Sequence, residues 1–376
     1  MKRFINMLPT LAFGDAVGND TLAIHNSLKN AGYESMLMAS VIDRRIPEDI
    51  KSTDEWDLIN DDDVIIYHLS TGDPLNEKVS RLNNRMIIRY HNITPPEFFF
   101  GYNKSAMSNC TLGYRDLYAM RNTGDYLIAD SEYNLGDLRK NGYTAPGEVM
   151  PILIPFKDYE KKPDEDVINR MSDGRTNIVF TGRVVPNKRQ EQVIRAFYHY
   201  KKAYDESARL ILVGNYEGME LYYESLVDYA AGLGISDDVI FTGHISFPAI
   251  LAYYRTASAF LCMSDHEGFC VPLVEAMFFD IPVIAKNTSA IPYTLGGAGI
   301  LLENDDPLMA AAVINRVLKD EDLRNRVLEN QRERLKDFEH DKIEKQLLKI
   351  VPGFADRDRM KHETGDSQGL REKWQI

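Results

Sequence analysis

Short apolar runs alternate with longer amphipathic stretches along most of the chain. MKRFINMLP is followed by DTLAIHNSLKNAG, whose apolar residues recur at helical spacing, and then by ESMLMAS. After a polar excursion, DVIIYHLS, RMIIRYHN and DYLIADS read as further short strands, and VMPILIP closes the first half. Strands of this kind separated by helices predict a parallel sheet covered on both faces. The charged stretch KDYEKKPDEDVINRMSDGRT breaks the pattern. The alternation then restarts with TNIVFTG, QEQVIRAFYHYKKAY, ARLILVG, YYESLVDYAAGLG and DVIFTGHI, and continues through AFLCMS to IPVIAKN. From Leu308 to Val351 the pattern is helical, and a polar run follows.

This is an α/β chain of two Rossmann-like, doubly wound domains facing each other across a cleft. The expected boundaries are an N-terminal domain over 1–157, a linker over 158–176 and a second domain over 177–338. A C-terminal helix over 339–352 has the N-terminal domain as a place to return to, and 353–376 is a polar tail. A length of 376 residues suits two cores better than one.

Composition removes several classes. A hydrophobic fraction of 44% and a charged fraction of 27% are those of a globular chain. The net charge of -13 argues against a nucleic-acid partner and against broad adhesion to an anionic membrane, although it leaves room for a local peripheral contact. Cys110, Cys262 and Cys270 are few and apart in sequence, which fits a reducing cytoplasm and neither a disulfide framework nor a zinc site. The first residues read as a strand and loop, not a signal peptide. No run approaches the roughly 20 apolar residues that span a bilayer.

The most informative segment is SDHEGFCVPLVEAMFFDIPVIA. Glu267 sits in a loop, a helix opens near Pro272, and Glu275 lies one turn inside it. Free backbone N–H groups between the two carboxylates suit an oxygen-rich anionic ligand. Eight residues of continuous helix span about 12 Å, against the roughly 5 Å of a retaining hydrolase pair. Two independent roles follow. In TGRVVPNKRQ, Gly182 permits a tight turn after a strand, and Arg183 and Lys188 project where open α/β sheets bind ligands. Two cations there suit a diphosphate, and an ordinary basic surface loop has the same composition.

Together, G-R-x-x-P-x-K and, about eighty residues on, E-G-F-x-x-P-x-x-E-A resemble the retaining family-four nucleotide-sugar glycosyltransferases of GT-B fold. The resemblance is strong from Asn177 to about Leu302 and looser before it. It implies that Arg183 and Lys188 hold the donor diphosphate and that Glu275 binds the ribose hydroxyls. Glu267 lies by the donor sugar, with the Gly268, Phe269 and Cys270 backbone on sugar and phosphate. Gly214, Gly243 and His244 are implied to border the base. The GDAVGND loop, with Gly18 and Asp15, is implied to close over donor phosphate and acceptor, although it departs from the family's paired glycines, and Asn19 or Asp20 is a candidate cap of the next helix. NTSAIPYTLGGAG also departs from the family pattern.

In RYHNITPPEFFFGY, His91 at a strand end reads from its residues as a structural histidine, and the resemblance implies a contact with the donor sugar; His68 is a further candidate. Asn92 is a candidate for the acceptor side, and Phe98, Phe99, Phe100 and Tyr102 are candidates for an acceptor platform, where aromatic faces stack on sugar rings and apolar chains; burial in a core is the competing role. Ser131 and Asn134 in ADSEYN suit a cleft position or a helix cap.

The implied activity is hexosyl transfer, with retention, from a nucleoside-diphosphate sugar to a hydroxyl of a glycan or lipid-linked acceptor in cell-surface polysaccharide synthesis. The setting is the cytoplasm or the inner face of its membrane, with polysaccharide-assembly proteins as potential partners. No metal or other cofactor is expected, and Asp61 to Asp63 read as a solvated turn. A GT-B epimerase and a non-catalytic nucleotide-sugar-binding scaffold are the alternatives.

Overall fold

A computed structural model describes residues 2–12 and 14–356. The first sheet contains β1 (Arg3–Leu11), β2 (Glu34–Ile42), β3 (Ile50–Ser52), β4 (Val64–Leu69), β5 (Arg85–Tyr90), β6 (Tyr126–Ala129) and β7 (Gly147–Val149). These lie in the order β3-β2-β1-β4-β5-β6-β7, all parallel. Its helices are α1 (Ala16–Asn30), α2 (Pro74–Val79), α3 (Lys104–Ala119) and α4 (Glu132–Lys140). Two short helices, α5 (Phe156–Tyr159) and α6 (Glu165–Met171), carry the chain across.

The second sheet contains β8 (Asn177–Thr181), β9 (Arg209–Val213), β10 (Val239–Phe241), β11 (Ala259–Cys262), β12 (Val283–Lys286) and β13 (Ile300–Leu302). Its order is β10-β9-β8-β11-β12-β13, again parallel throughout. Helices α7 (Gln190–Ala203), α8 (Glu220–Gly232), α9 (Phe247–Arg255), α10 (Val271–Phe278) and α11 (Ile291–Leu295) belong to it. The chain ends in α12 (Pro307–Lys319), α13 (Glu321–Leu335) and α14 (His340–Asp356). Strand order reverses between β1 and β4 and between β8 and β11. Such switch points open crevices at the carboxyl ends of the strands.

Ile343, Leu347, Ile350 and Phe354 recur on one face of α14 and join Phe4, Ile24 and Leu28 in one apolar cluster. The last helix therefore packs on the first domain. It extends to Asp356, so 353–356 are helical, and the rest of the expected polar tail lies outside the described residues. The expected linker is also corrected: α6 buries Val167 and Met171 against Val179, Ile211 and Ala252, as part of the second domain. VMPILIP forms a strand only to Val149; Ile152 and Ile154 instead join Tyr159, Phe269, Val274 and Phe338 beneath the crossover.

Candidate functional site

The loop between β11 and α10 holds the centre of the site. Cys270 has a left-handed backbone (φ 71) and no side-chain cap, so the first N–H groups of α10 face the cleft without a protein carboxylate or hydroxyl on them. Phe269 is buried and packs edge-on against Phe338 at 5.7 Å, anchoring the loop from below. A 3-10 turn, Pro186–Lys188, clasps the loop from the β8 side. Asn187 accepts from the Asp265 N–H (2.9 Å) at its carbonyl and donates its amide to the His266 carbonyl (3.0 Å).

That clasp sets Lys188 Nζ 2.6 Å from both oxygens of Glu267. Burial opposes the lysine charge, but the Glu267 carboxylate outweighs it and lifts the Lys188 pKa above its ordinary value. Ser289 is within 2.9 Å of the Glu267 backbone N–H, which donates to its hydroxyl. Arg183 is exposed two residues beyond the end of β8. Gly214 is fixed by crowding, because a Cβ there would lie 1.9 Å from the Gly182 carbonyl. His244 is exposed just beyond Gly243, which bridges to Gly214.

Glu275 accepts from Tyr159 (2.9 Å) on one oxygen and from Tyr254 (2.6 Å) on the other. Burial raises its pKa, and the two hydroxyls offset part of that rise. Neither tyrosine was a sequence candidate.

Across the cleft, His91 belongs to a buried polar chain. Its Nδ1 lies 3.0 Å from Asp130, and its Nε2 lies 3.0 Å from His68 Nδ1. Both ring nitrogens are therefore occupied, and the expected ring contact with a donor sugar is not available in this arrangement. Burial, with His91 and Arg89 adding to it, pushes the His68 pKa well below the ordinary histidine value. Arg89 is fully buried between Asp20 and Asp130, each at 2.9 Å. Burial opposes its charge, and the two carboxylates restore it.

Other first-half candidates also carry structure. Asp15, exposed at the cleft end of α1, caps that helix by accepting from the Gly18 N–H at 3.3 Å, a role the sequence gives to Asn19 or Asp20. Gly18 is buried against the Ala12 carbonyl. Phe99 is buried in the main apolar cluster of the second domain, and Tyr102 packs edge-on against Tyr222 at 5.2 Å. Phe99 thus joins the domains as core instead of forming an acceptor platform, while Tyr102 stays only partly buried at the same boundary. Asp63 is buried and paired with Arg3 at 2.6 Å, so only Asp61 and Asp62 remain a solvated turn.

Asn92 (φ 78) is committed to a latch between the domains. Its amide donates to Asn134 (2.9 Å), and its oxygen lies 2.6 Å from His266 Nε2. Ser131 caps α4 and donates to the Gly268 carbonyl at 2.8 Å. Gly268 is needed for this approach, since a Cβ would lie 2.7 Å from both Asn92 Cβ and the His91 carbonyl.

Among the described residues, two trios place metal-donor atoms within 4.8 Å of one another: Asp20, His68 and His91, and Cys262, Glu267 and Cys270. The thiols Cys262 and Cys270 are thus neighbours, contrary to their spacing in sequence. Neither trio is a vacant chelate. Asp20 already neutralises Arg89, and the Lys188 ammonium on Glu267 would repel a cation.

Residues 161–334 match the family model of glycosyl transferases group 1. This stretch is similar to that family over slightly less than half of the chain. The group 1 region contains the clasped loop, Arg183, Lys188, Glu267 and Glu275. The chain is 27% identical over 183 residues to the GalNAc-alpha-(1->4)-GalNAc-alpha-(1->3)-diNAcBac-PP-undecaprenol alpha-1,4-N-acetyl-D-galactosaminyltransferase of Campylobacter jejuni, covering 46% of this chain and 47% of that one. It is 28% identical over 174 residues to the capsular polysaccharide biosynthesis glycosyltransferase CapM of Staphylococcus aureus, covering 46% and 44%. The chain thus spans about half the length of the curated relatives it matches. The structure of Anabaena HepE in complex with UDP and glucose superimposes with a TM-score of 0.73 at 17% identity, covering 94% of this chain and all of that one. The fold is GT-B. Among the described residues, no helix is long and apolar enough to cross a membrane.

Proposed function

We propose that the chain is a retaining, metal-independent glycosyltransferase. It moves a sugar from a nucleoside diphosphate to a hydroxyl of a glycan or lipid-linked acceptor in cell-surface polysaccharide synthesis. The carrying observation is that Lys188 is fixed on Glu267 in the loop that leads directly into the uncapped N-terminus of α10, with Arg183 exposed at the end of the neighbouring strand β8. Preorganised donors of that kind stabilise charge on a departing diphosphate. Glu275 takes the ribose hydroxyls on the lone pairs its tyrosines leave, and Glu267 both holds Lys188 and faces the sugar. His91 acts through its backbone and through Asn92, positioning the loop that meets Gly268. The two carboxylates of the donor segment are both engaged, Glu267 by Lys188 and Glu275 by two tyrosines, which supports same-face attack with the leaving phosphate oxygen accepting the acceptor proton.

A thermal-shift panel of UDP, GDP, dTDP, ADP and NAD tests this reading, with EDTA present throughout. A ligand at 100 times its dissociation constant adds about 2.7 kcal/mol to stability, a readily measured rise. A shift with one nucleoside diphosphate supports the reading and names the donor base. A shift with NAD alone, or with none of the five, refutes it.

A further inference from the structure

A groove between residues 96–102 and the paired helices α7 and α8 is not used by the donor site. It encloses about 570 Å³, within the range of roughly 300–1,000 Å³ common to ligand pockets. Both domains build it. Phe98, Phe100 and Tyr102 come from the first domain, and Tyr222 and Tyr229 face them from α8. Phe100 is 77% exposed, an unusual position for a phenylalanine at a domain boundary. The start of α7 contributes Gln192, whose Oε1 is buried without a hydrogen-bond partner among the described residues. The groove's charges balance: Glu97 and Glu191 stand against Arg189 and Arg195, and Arg189 is paired with Glu191 at 2.8 Å. Pro186 lines the groove and opens the turn that carries Lys188, so the groove runs to within one turn of the donor site.

We propose that this groove is a subsite for a neutral saccharide chain, namely the part of a glycan acceptor remote from the reacting hydroxyl. The identification of that chain as acceptor rests on the transferase reading above; the binding itself does not. Aromatic rings stack on the apolar faces of sugars, while amide, carboxylate and guanidinium groups meet their hydroxyls. The unpartnered Gln192 oxygen calls for a donor, which a hydroxyl supplies. Balanced charge argues against a diphosphate here, and four charged side chains argue against an alkyl tail. The two-domain construction has a further consequence. Tyr102 meets Tyr222, and Asn103 donates to the Gly218 carbonyl at 2.6 Å, so the groove exists only while the domains are together. A glycan bound in it favours the closed arrangement in which Gly268 meets Asn92.

The test uses the full chain and saturation-transfer NMR with maltohexaose, cellohexaose, mannohexaose and octyl glucoside, alongside the nucleotide panel. Variants are Phe100→Ala and Gln192→Ala, with Tyr118→Ala as an exposed aromatic outside the groove. At least one hexasaccharide should bind, and Phe100→Ala should weaken it about tenfold, the scale of one lost stacking face. Tyr118→Ala and the nucleotide shift should match wild type. No hexasaccharide binding, equal binding by all variants, or groove-dependent binding of octyl glucoside alone would each overturn the subsite. A silent nucleotide panel with groove-dependent saccharide binding would sink the transferase reading and leave the subsite standing.

Discussion

Gly268→Ala isolates the contact on which the two-domain site depends. The added Cβ would lie 2.7 Å from Asn92 Cβ, 2.7 Å from the His91 carbonyl oxygen and 3.2 Å from Asn134 Nδ2. Two of these three are backbone or backbone-proximal atoms, so a rotamer change cannot relieve the crowding. The φ of Gly268 lies outside the left-handed region, so alanine meets no conformational penalty, only the lack of space. The donor loop must therefore retreat from the first domain. Retreat breaks the Ser131 bond to the Gly268 carbonyl and the contact of His266 with Asn92. At about 0.5–1.5 kcal/mol each, the two are worth about 2 kcal/mol, or roughly a 30-fold fall in the closed population.

The assay is kcat/KM for sugar transfer, with the dissociation constant of the nucleoside diphosphate measured in parallel. The methyl group points at first-domain atoms of His91, Asn92 and Asn134, so nucleotide affinity should hold while kcat/KM falls. Ser131→Ala removes one of the two bonds and should cost about three- to tenfold in kcat/KM. A Gly268→Ala enzyme with wild-type kcat/KM would show that the latch is not formed in the working state. Equal losses in turnover and nucleotide affinity would show instead that the loop itself had been distorted.

Lys188→Ala should weaken nucleoside diphosphate binding by roughly 10- to 150-fold, the worth of a charged hydrogen bond. It also strands Glu267, so the melting temperature should fall and be restored by adding Glu267→Gln, without recovery of affinity; calorimetry and thermal melts separate the two effects. Arg89→Met leaves Asp20 and Asp130 facing each other in the core and should cost about 3–5 kcal/mol in urea unfolding; a surface-like loss would remove the buried network. Glu275 has a pKa raised in the folded state, first by burial. The folded chain therefore binds more protons than the unfolded one above the usual carboxylate range, and stability falls as pH rises through the folded value. Glu275→Gln removes that dependence, so its melting temperature relative to wild type should improve as pH rises from 4 toward 7; a constant difference contradicts the sign.

The two parallel sheets were legible because β4 and β8 are apolar runs bounded by turns, and the helix after Glu267 because Pro272 marks its first turn. The donor loop was legible because its chemistry lies within one contiguous segment. The first half was less so, because its candidates are polar residues whose partners come from distant elements. Phe99 and Asn92 sit in a loop that reads equally as surface or core until the second domain is placed against it. Arg89 did carry a signal: a charge inside RMIIRYH, a run otherwise fit for a buried strand, requires buried carboxylates elsewhere. Asn187, Ser289 and His266 gave none. Their roles are backbone clasps and a cross-domain bond, which leave no periodic or compositional trace.

The halves divide the work by electrostatics. In the second domain, Arg183 is exposed and the start of α10 has no side-chain cap, so charge and dipole remain available beside the Lys188–Glu267 pair. In the first, Asp20, Arg89, Asp130, His91 and His68 satisfy one another and present no such charge to the cleft. What this chain fixes is geometry. Asp130 is held by Arg89 at one oxygen and holds His91 Nδ1 with the other, while His68 blocks rotation of the ring at Nε2. The turn beyond β5 is thereby pinned with Asn92 at φ 78, its amide aimed at Asn134 and its oxygen at His266. A left-handed asparagine is costly unless its surroundings over-determine it. Here a buried ion network does so, and the result is a rigid stop against which the charged loop closes.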